Sequence, residues 1–181
     1  MTSGDLRFSH ILKVAAKADF EQLAADFSTG NVGIDRFLRD DAIRSETIAN
    51  TFVLWRPDAI VGYFTLQNDA TAISRKYRKD HHFLRGGVTD YPAVLISFLG
   101  IASKFQKASF GRQLLLTAMT MAYEQRHALG AFTILSVEAL PSSIAFYEQF
   151  RFRQYGRPNG QTNKFLGITL AEIGEFLAGV A

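Results

Sequence analysis

The chain contains no cysteine. Disulfides, thiolate zinc sites, iron–sulfur clusters and a cysteine nucleophile are therefore excluded. Proline is sparse: Pro57, Pro92, Pro141 and Pro158 sit between apolar runs, where they mark connections. No stretch reaches the ~18 apolar residues that a membrane helix needs. Met1 to Phe20 carries Asp5, Arg7, Lys13, Lys17 and Asp19 and lacks the basic start and apolar run of a signal peptide. A cytoplasmic location with no membrane partner is expected. No internal repeat, low-complexity tract or linker interrupts the chain. The His, Asp and Glu residues form no metal-ligand spacing. His81 and His82 are adjacent, so they cannot share one face of a regular element, and they read as a solvated loop. His10 and His127 are isolated. No Ser sits in a G-x-S-x-G nucleophile elbow.

What is present is a folded domain. The 181 residues are 48% hydrophobic and 20% charged, which excludes a wholly disordered chain and a coiled coil. A chain of this length buries ~70% of the surface its unfolded form exposes. One domain spanning 1–181 is expected, with its core over about 8–170 and a C-terminal helix appended. The formal charge is +3, but it is unevenly spread: residues 1–74 net −3, residues 75–157 net +7 and residues 158–181 net −1. The basic middle suits phosphate, as a phosphorylated cofactor or as nucleic acid, or is a solvated surface with no partner.

Ile34, Phe37, Leu38 and Ala42 recur at helical spacing after Thr29-Gly30-Asn31. Thr51–Trp55 and Ala59–Leu66 read as a hairpin around Arg56-Pro57-Asp58. Residues 74–91, polar and basic with Gly86-Gly87, read as a loop. Ala93–Ile101 is an almost unbroken apolar run, hence a buried central strand. Phe110–His127 is one long helix with Leu114, Leu115, Ala118, Met119 and Ala122 on its apolar side. Ala131–Glu138 is a further strand. A short helix runs from Pro141 to Phe150, and closing strands follow at Arg151–Tyr155 and Lys164–Thr169. Leu170–Leu177 reads as the terminal helix. Hairpins mixed with a strand–helix–strand unit predict an α/β fold on a sheet of mixed direction, not a doubly wound parallel one.

The segment that carries chemistry runs from Leu99 to Gln113. A buried strand ends, a tight loop of small residues follows, and a long helix begins. A helix N-terminus offers unpaired N–H groups and a partial positive charge. A loop placed there wraps N–H groups around a phosphate, and Lys107 and Arg112 add full charges. The segment is neither G-x-G-x-x-G nor a Walker loop, so dinucleotide and ATP readings are weak.

Gln106-Lys107-Ala108-Ser109-Phe110-Gly111 resembles the coenzyme-A loop, Gln/Arg-x-x-Gly-x-Gly/Ala, of the GNAT acetyltransferases. Ser143-Ile144-Ala145-Phe146-Tyr147-Glu148-Gln149-Phe150-Arg151-Phe152 resembles the family's Ala-x-x-x-Phe-Tyr-x-x-x-Gly-Phe signature. Phe27-Ser28-Thr29-Gly30-Asn31 through Asp35-Arg36-Phe37-Leu38, and Gly62-Tyr63-Phe64-Thr65-Leu66, are similar to motifs of its toxin–antitoxin branch. The likeness covers roughly residues 8–170. Two positions depart from it. Ser109 and Arg151 stand where the family has glycine, and a Cβ at a positive-φ position costs ~1 kcal/mol.

The resemblance implies a GNAT fold: a twisted, mostly antiparallel sheet flanked by helices. It implies acetyl-CoA as acyl donor, and no metal. Backbone groups at Leu99, Gly100 and Ile101 would hold the pantetheine arm. Gln106, Lys107, Ala108, Ser109, Phe110, Gly111, Arg112 and Gln113 would cradle the pyrophosphate, with Ser143 also in the coenzyme site. Tyr147 would protonate the leaving thiolate. Glu138, at a strand end, reads more readily as a surface or structural carboxylate than as a general base. In the toxin branch the acceptor is the amino group of an aminoacyl-tRNA, and the partner is a small ribbon–helix–helix antitoxin. Arg75, Lys76, Arg78, Lys79 and Arg85 are the candidate nucleic-acid contacts, and a homodimer fits the family. Two alternatives stay open. The acceptor is instead a protein or small-molecule amine, or the chain only binds coenzyme A or a protein partner.

Overall fold

The computed structural model describes residues 6–17, 19–83, 88, 90–127, 131–156 and 162–180. Its strands are β1 (Arg7–His10), β2 (Ala49–Arg56), β3 (Ala59–Ala72), β4 (Asp90–Ile101), β5 (Ile134–Ala139), β6 (Arg153–Gln154) and β7 (Lys164–Thr169). Its helices are α1 (Ile11–Ala15), α2 (Phe20–Ala25), α3 (Val32–Arg36), α4 (Arg75–Asp80), α5 (Phe110–Glu124), α6 (Ile144–Glu148) and α7 (Leu170–Val180). The seven strands form one sheet in the order β1-β2-β3-β4-β5-β7-β6. The fold is the mixed α/β architecture the sequence predicts. Helix α5 turns Leu114, Leu115, Ala118, Met119 and Ala122 inward, as its period predicts. Burying such a stripe, at roughly 1.5–3 kcal/mol per large side chain, fixes the helix in place. The chain falls into two compact units: residues 1–67 with 97–118, and residues 68–96 with 119–181.

In the first unit, β2 and β3 form the predicted hairpin, turning on Pro57-Asp58 with Arg56 opposite Ala59. Strand β1 adds antiparallel to β2, Arg7 facing Trp55 and His10 facing Phe52. This strand and helices α1 and α2 go beyond the predicted elements, because none is long enough to show a period. His10 caps α1 through Nδ1, which accepts from Leu12 N at 3.4 Å. Helix α3 continues into a π-helical turn, Phe37–Asp41, which buries Leu38. Its apolar positions join Ile11, Val14, Phe20, Leu23, Phe27, Val53, Trp55 and Tyr63 in one core.

In the second unit, β4 pairs in parallel with β5 over Ala93–Ile96 and Ile134–Val137. Strand β7 lies antiparallel to β5.

The reading of residues 74–91 as a loop is overturned in this unit. The segment after Ser74 is helix, not loop. Ser74 Oγ accepts from Tyr77 N at 3.3 Å, an N-cap. Tyr77 is 4% exposed and its hydroxyl donates to the Gly167 carbonyl at 3.4 Å. A single anchored aromatic thus holds a helix whose other residues are polar. Gly86-Gly87 and Pro158 lie outside the described residues.

Candidate active site

Strand β4 outruns its ladder with β5: the pairing stops at Ile96 and the strand continues to Ile101. Ala102 N donates to Val61 O at 2.9 Å, so this end stays bound to β3. Gly62 and Gly100 permit close packing here. A Cβ on Gly62 would lie 2.7 Å from the Gly100 carbonyl, and one on Gly100 2.6 Å from Ile34 Cγ2.

After a single 3₁₀ turn, Ser103–Phe105, the chain enters the Gln106–Gln113 segment. Lys107 and Ser109 both have φ 63°. Alternation of left-handed residues turns successive N–H groups into one concave nest. The backbone N–H groups of residues 107 to 111 find no acceptor among the described residues. They stand at the N-terminus of α5, a fifteen-residue helix whose dipole adds positive potential. Lys107 is exposed and makes no ion pair among the described residues. Such a cradle suits a pyrophosphate: it is built from backbone donors, with charge at its rim. The left-handed φ at Ser109 is a conformation that favours glycine, the residue that the resembled loop pattern has there. Serine at this position carries a strain cost of about 1 kcal/mol. Arg151 has the same geometry, φ 65°, and its guanidinium lies 3.9 Å from Glu175 Oε2 on α7.

Leu99, Gly100, Ile101 and Gln106 through Gln113 are thus brought together within the first unit. Gln106 plays an unforeseen part. Its side-chain Nε2 donates to Thr29 O at 3.0 Å and Ile101 O at 3.1 Å. Sequence reasoning misses the partners of that amide, because the spacing from Thr29 to Gln106 leaves no local pattern. The role of Asp35 is equally silent, although Ser28-Thr29-Gly30-Asn31 and Asp35 are visible as a motif.

The remaining candidates belong to the second unit. Tyr147, on α6, is 5% exposed, packed against Phe146 and Phe152. Its hydroxyl makes no hydrogen bond among the described residues. Burial pushes the phenol well above the ordinary tyrosine range, so it holds its proton throughout neutral pH. Ser143 closes the 3₁₀ turn before α6, its Oγ donating to Leu140 O at 3.0 Å. Glu138 is exposed and accepts from Asn163 Nδ2 at 3.1 Å, which matches a surface carboxylate. Arg75, Lys76 and Lys79 are exposed on α4, whereas Arg78 is half-buried with its Nε enclosed and unpartnered. Arg85 lies outside the described residues. His81 is not a solvated loop residue. It stacks on Tyr77 at 3.9 Å, and its Nε2 lies 3.2 Å from Glu172 Oε1. Among the described residues no cluster of His, Asp and Glu could hold a metal, and no helix is long and apolar enough to cross a membrane.

No protein-family model and no curated protein sequence matches the chain. Solved structures do. A tyrosine-to-phenylalanine variant of KacT is similar at TM-score 0.76 and 22% identity, covering 94% of this chain and 98% of that one. AtaT complexed with acetyl-methionyl-tRNAfMet is similar at TM-score 0.77 and 20% identity, covering 96% and 99%. An AtaT toxin variant bound to acetyl-CoA and the C-terminus of the antitoxin AtaR is similar at TM-score 0.73 and 21% identity, covering 96% and 99%. The chain therefore has the GNAT acyltransferase fold, shared over nearly its whole length with these toxins.

Proposed function

We propose that this protein is an acetyl-CoA-dependent N-acetyltransferase of the toxin type, acting in the cytoplasm on the amino group of an aminoacyl-tRNA. The observation that carries the reading is the run of N–H groups at residues 107 to 111, at the head of α5, that find no acceptor among the described residues. The fold it shares with AtaT and KacT supports the same reading.

Acetyl-CoA supplies a thioester carbonyl open to direct attack by an amine. The N–H groups of residues 107 to 111 hold the pyrophosphate, with Lys107 and Arg112 at the rim. Leu99 and Ile101 offer the backbone of a strand end that has run past its ladder with β5 to the pantetheine arm. Tyr147 Oη, protonated at neutral pH, donates a proton to the leaving sulfur, and the proton that the attacking amine gives up through solvent restores the phenol. Arg75, Lys76 and Lys79 on α4, with Arg78 on the same helix and Arg85 as a contact proposed from the sequence alone, attract the phosphates of the acceptor. The partner that silences such an enzyme is a small ribbon–helix–helix antitoxin.

Labelled acetyl-CoA incubated side by side with charged tRNA, protein extract and polyamines tests the acceptor. Label in the aminoacyl-tRNA fraction is expected; label only in protein or polyamine moves the enzyme to another substrate. Tyr147→Phe deletes one hydroxyl and should lower turnover roughly 10²–10⁴-fold with coenzyme affinity little changed. An unchanged kcat would return Tyr147 to a packing role.

A further inference from the structure

The residue that opens the phosphate loop spends its side chain elsewhere. Gln106 Nε2 bridges the carbonyls of Thr29 and Ile101. Ser103 grips the same turn: its N and Oγ both donate to Ser28 O, at 2.7 and 3.0 Å. The turn is internally wired to α3. Asp35, on that helix, accepts from Thr29 N at 2.8 Å, Thr29 Oγ1 at 2.6 Å and Ser28 Oγ at 3.2 Å. Asn31 Oδ1 caps the helix through Gly33 N and Ile34 N. The Ile34 carbonyl in turn accepts from Tyr63 Oη at 2.7 Å. Gly100 has no Cβ, and one placed there would lie 2.9 Å from Thr29 Cγ2. The strand end and the turn thus close on each other because that position is glycine.

We propose that Gln106 and Asp35 are positioning residues that lock the Ser28–Asn31 turn and helix α3 to the phosphate loop, so that filling the loop orders α3. The inference rests on the coenzyme reading above. A pyrophosphate held by the N–H groups of residues 107 to 111 immobilises Gln106. Gln106 then fixes the Thr29 carbonyl, and Asp35 carries that constraint into α3. The helix presents Val32, 81% exposed, at its first position. Coupling is reciprocal, so whatever clamps α3 from outside tightens coenzyme binding by the same factor.

Hydrogen exchange of the intact protein, with and without saturating acetyl-CoA, tests the link. In the wild type, amides of residues 28–35 should exchange about five- to tenfold more slowly when acetyl-CoA is bound. Gln106→Met keeps length and removes the donor. It should abolish that slowing at 28–35 while residues 107–111 remain protected by the ligand. Asp35→Asn, read the same way, serves where Gln106→Met does not fold. A merely structural Gln106 would speed exchange at 28–35 equally with and without acetyl-CoA. Acetyl-CoA that binds yet leaves 28–35 unchanged in the wild type overturns this inference alone. Acetyl-CoA that does not bind at all overturns the coenzyme reading and this inference with it.

Discussion

The Gln106–Gln113 loop and helix α4 are both short, polar, lysine-bearing segments, and the proposed function asks them to work by opposite means. The loop offers backbone N–H groups at residues 107 to 111, and its side chains matter mainly through the φ they tolerate. Helix α4 offers side chains: Arg75, Lys76 and Lys79 project from a helix pinned by one buried tyrosine. A backbone site is broken by whatever removes an N–H or bends the chain. A side-chain site is broken by truncation to alanine.

The largest contrast should come from the loop. Gly111→Pro removes one cradle donor and should abolish the rise in melting temperature that millimolar acetyl-CoA gives the wild type through binding to the native state. Lys107→Ala, at the rim, should keep most of that rise. Equal losses in the two variants would mean that charge, not the nest, holds the coenzyme. Next in size is α4. Arg75, Lys76 and Lys79 changed together to alanine should flatten the log–log salt dependence of tRNA binding by about 2–3, the worth of three phosphate contacts. Acetyl-CoA binding should survive. Full tRNA affinity in the triple variant would make α4 a solvated surface.

Smaller effects sharpen the same comparison. Ser109→Gly relieves a left-handed residue of its Cβ, and about 1 kcal/mol of relief should raise the melting temperature by about 2–4 °C. No rise would mean that serine is unstrained there. Alkali should reach α4 through its anchor. Burial raises the Tyr77 phenol above its ordinary value, as it does Tyr63, Tyr147 and Tyr155. Each stays protonated in the folded state while the unfolded chain ionises near about 10, so stability is whole below that pH and falls above it. The alkaline drop in melting temperature should be smaller in Tyr77→Phe, and an equal drop would release Tyr77 from this role.

Much of the molecule was legible because the signals were long or local. The stripe Leu114, Leu115, Ala118, Met119, Ala122 spells a helix whatever surrounds it. The run Ala93–Ile101 spells a central strand. The small-residue loop between them, followed by a helix start, spells a strand–loop–helix junction, and the phosphate site proposed there rests on backbone logic. Helix α4 was illegible because six residues cannot display a period, and its polar composition points to a loop. Only the burial of Tyr77 and its bond to the Gly167 carbonyl tip that balance.

His81 changed in the same way, from a residue that reads as solvated to one stacked on Tyr77 and held by Glu172. The Gln106 bridge to Thr29 is likewise a product of the fold. A hydrogen bond between residues so far apart in sequence exists only after the strands have assembled. The sequence by itself determined which residues are apolar at which spacing, and therefore the central strands, the long helix and the loop between them. The tertiary structure decided which carbonyls the side-chain amides reach and which tyrosines lose contact with water. Hydrophobic period is a property of neighbours along the chain, whereas hydrogen-bond partnership and desolvation depend on what folding brings beside them.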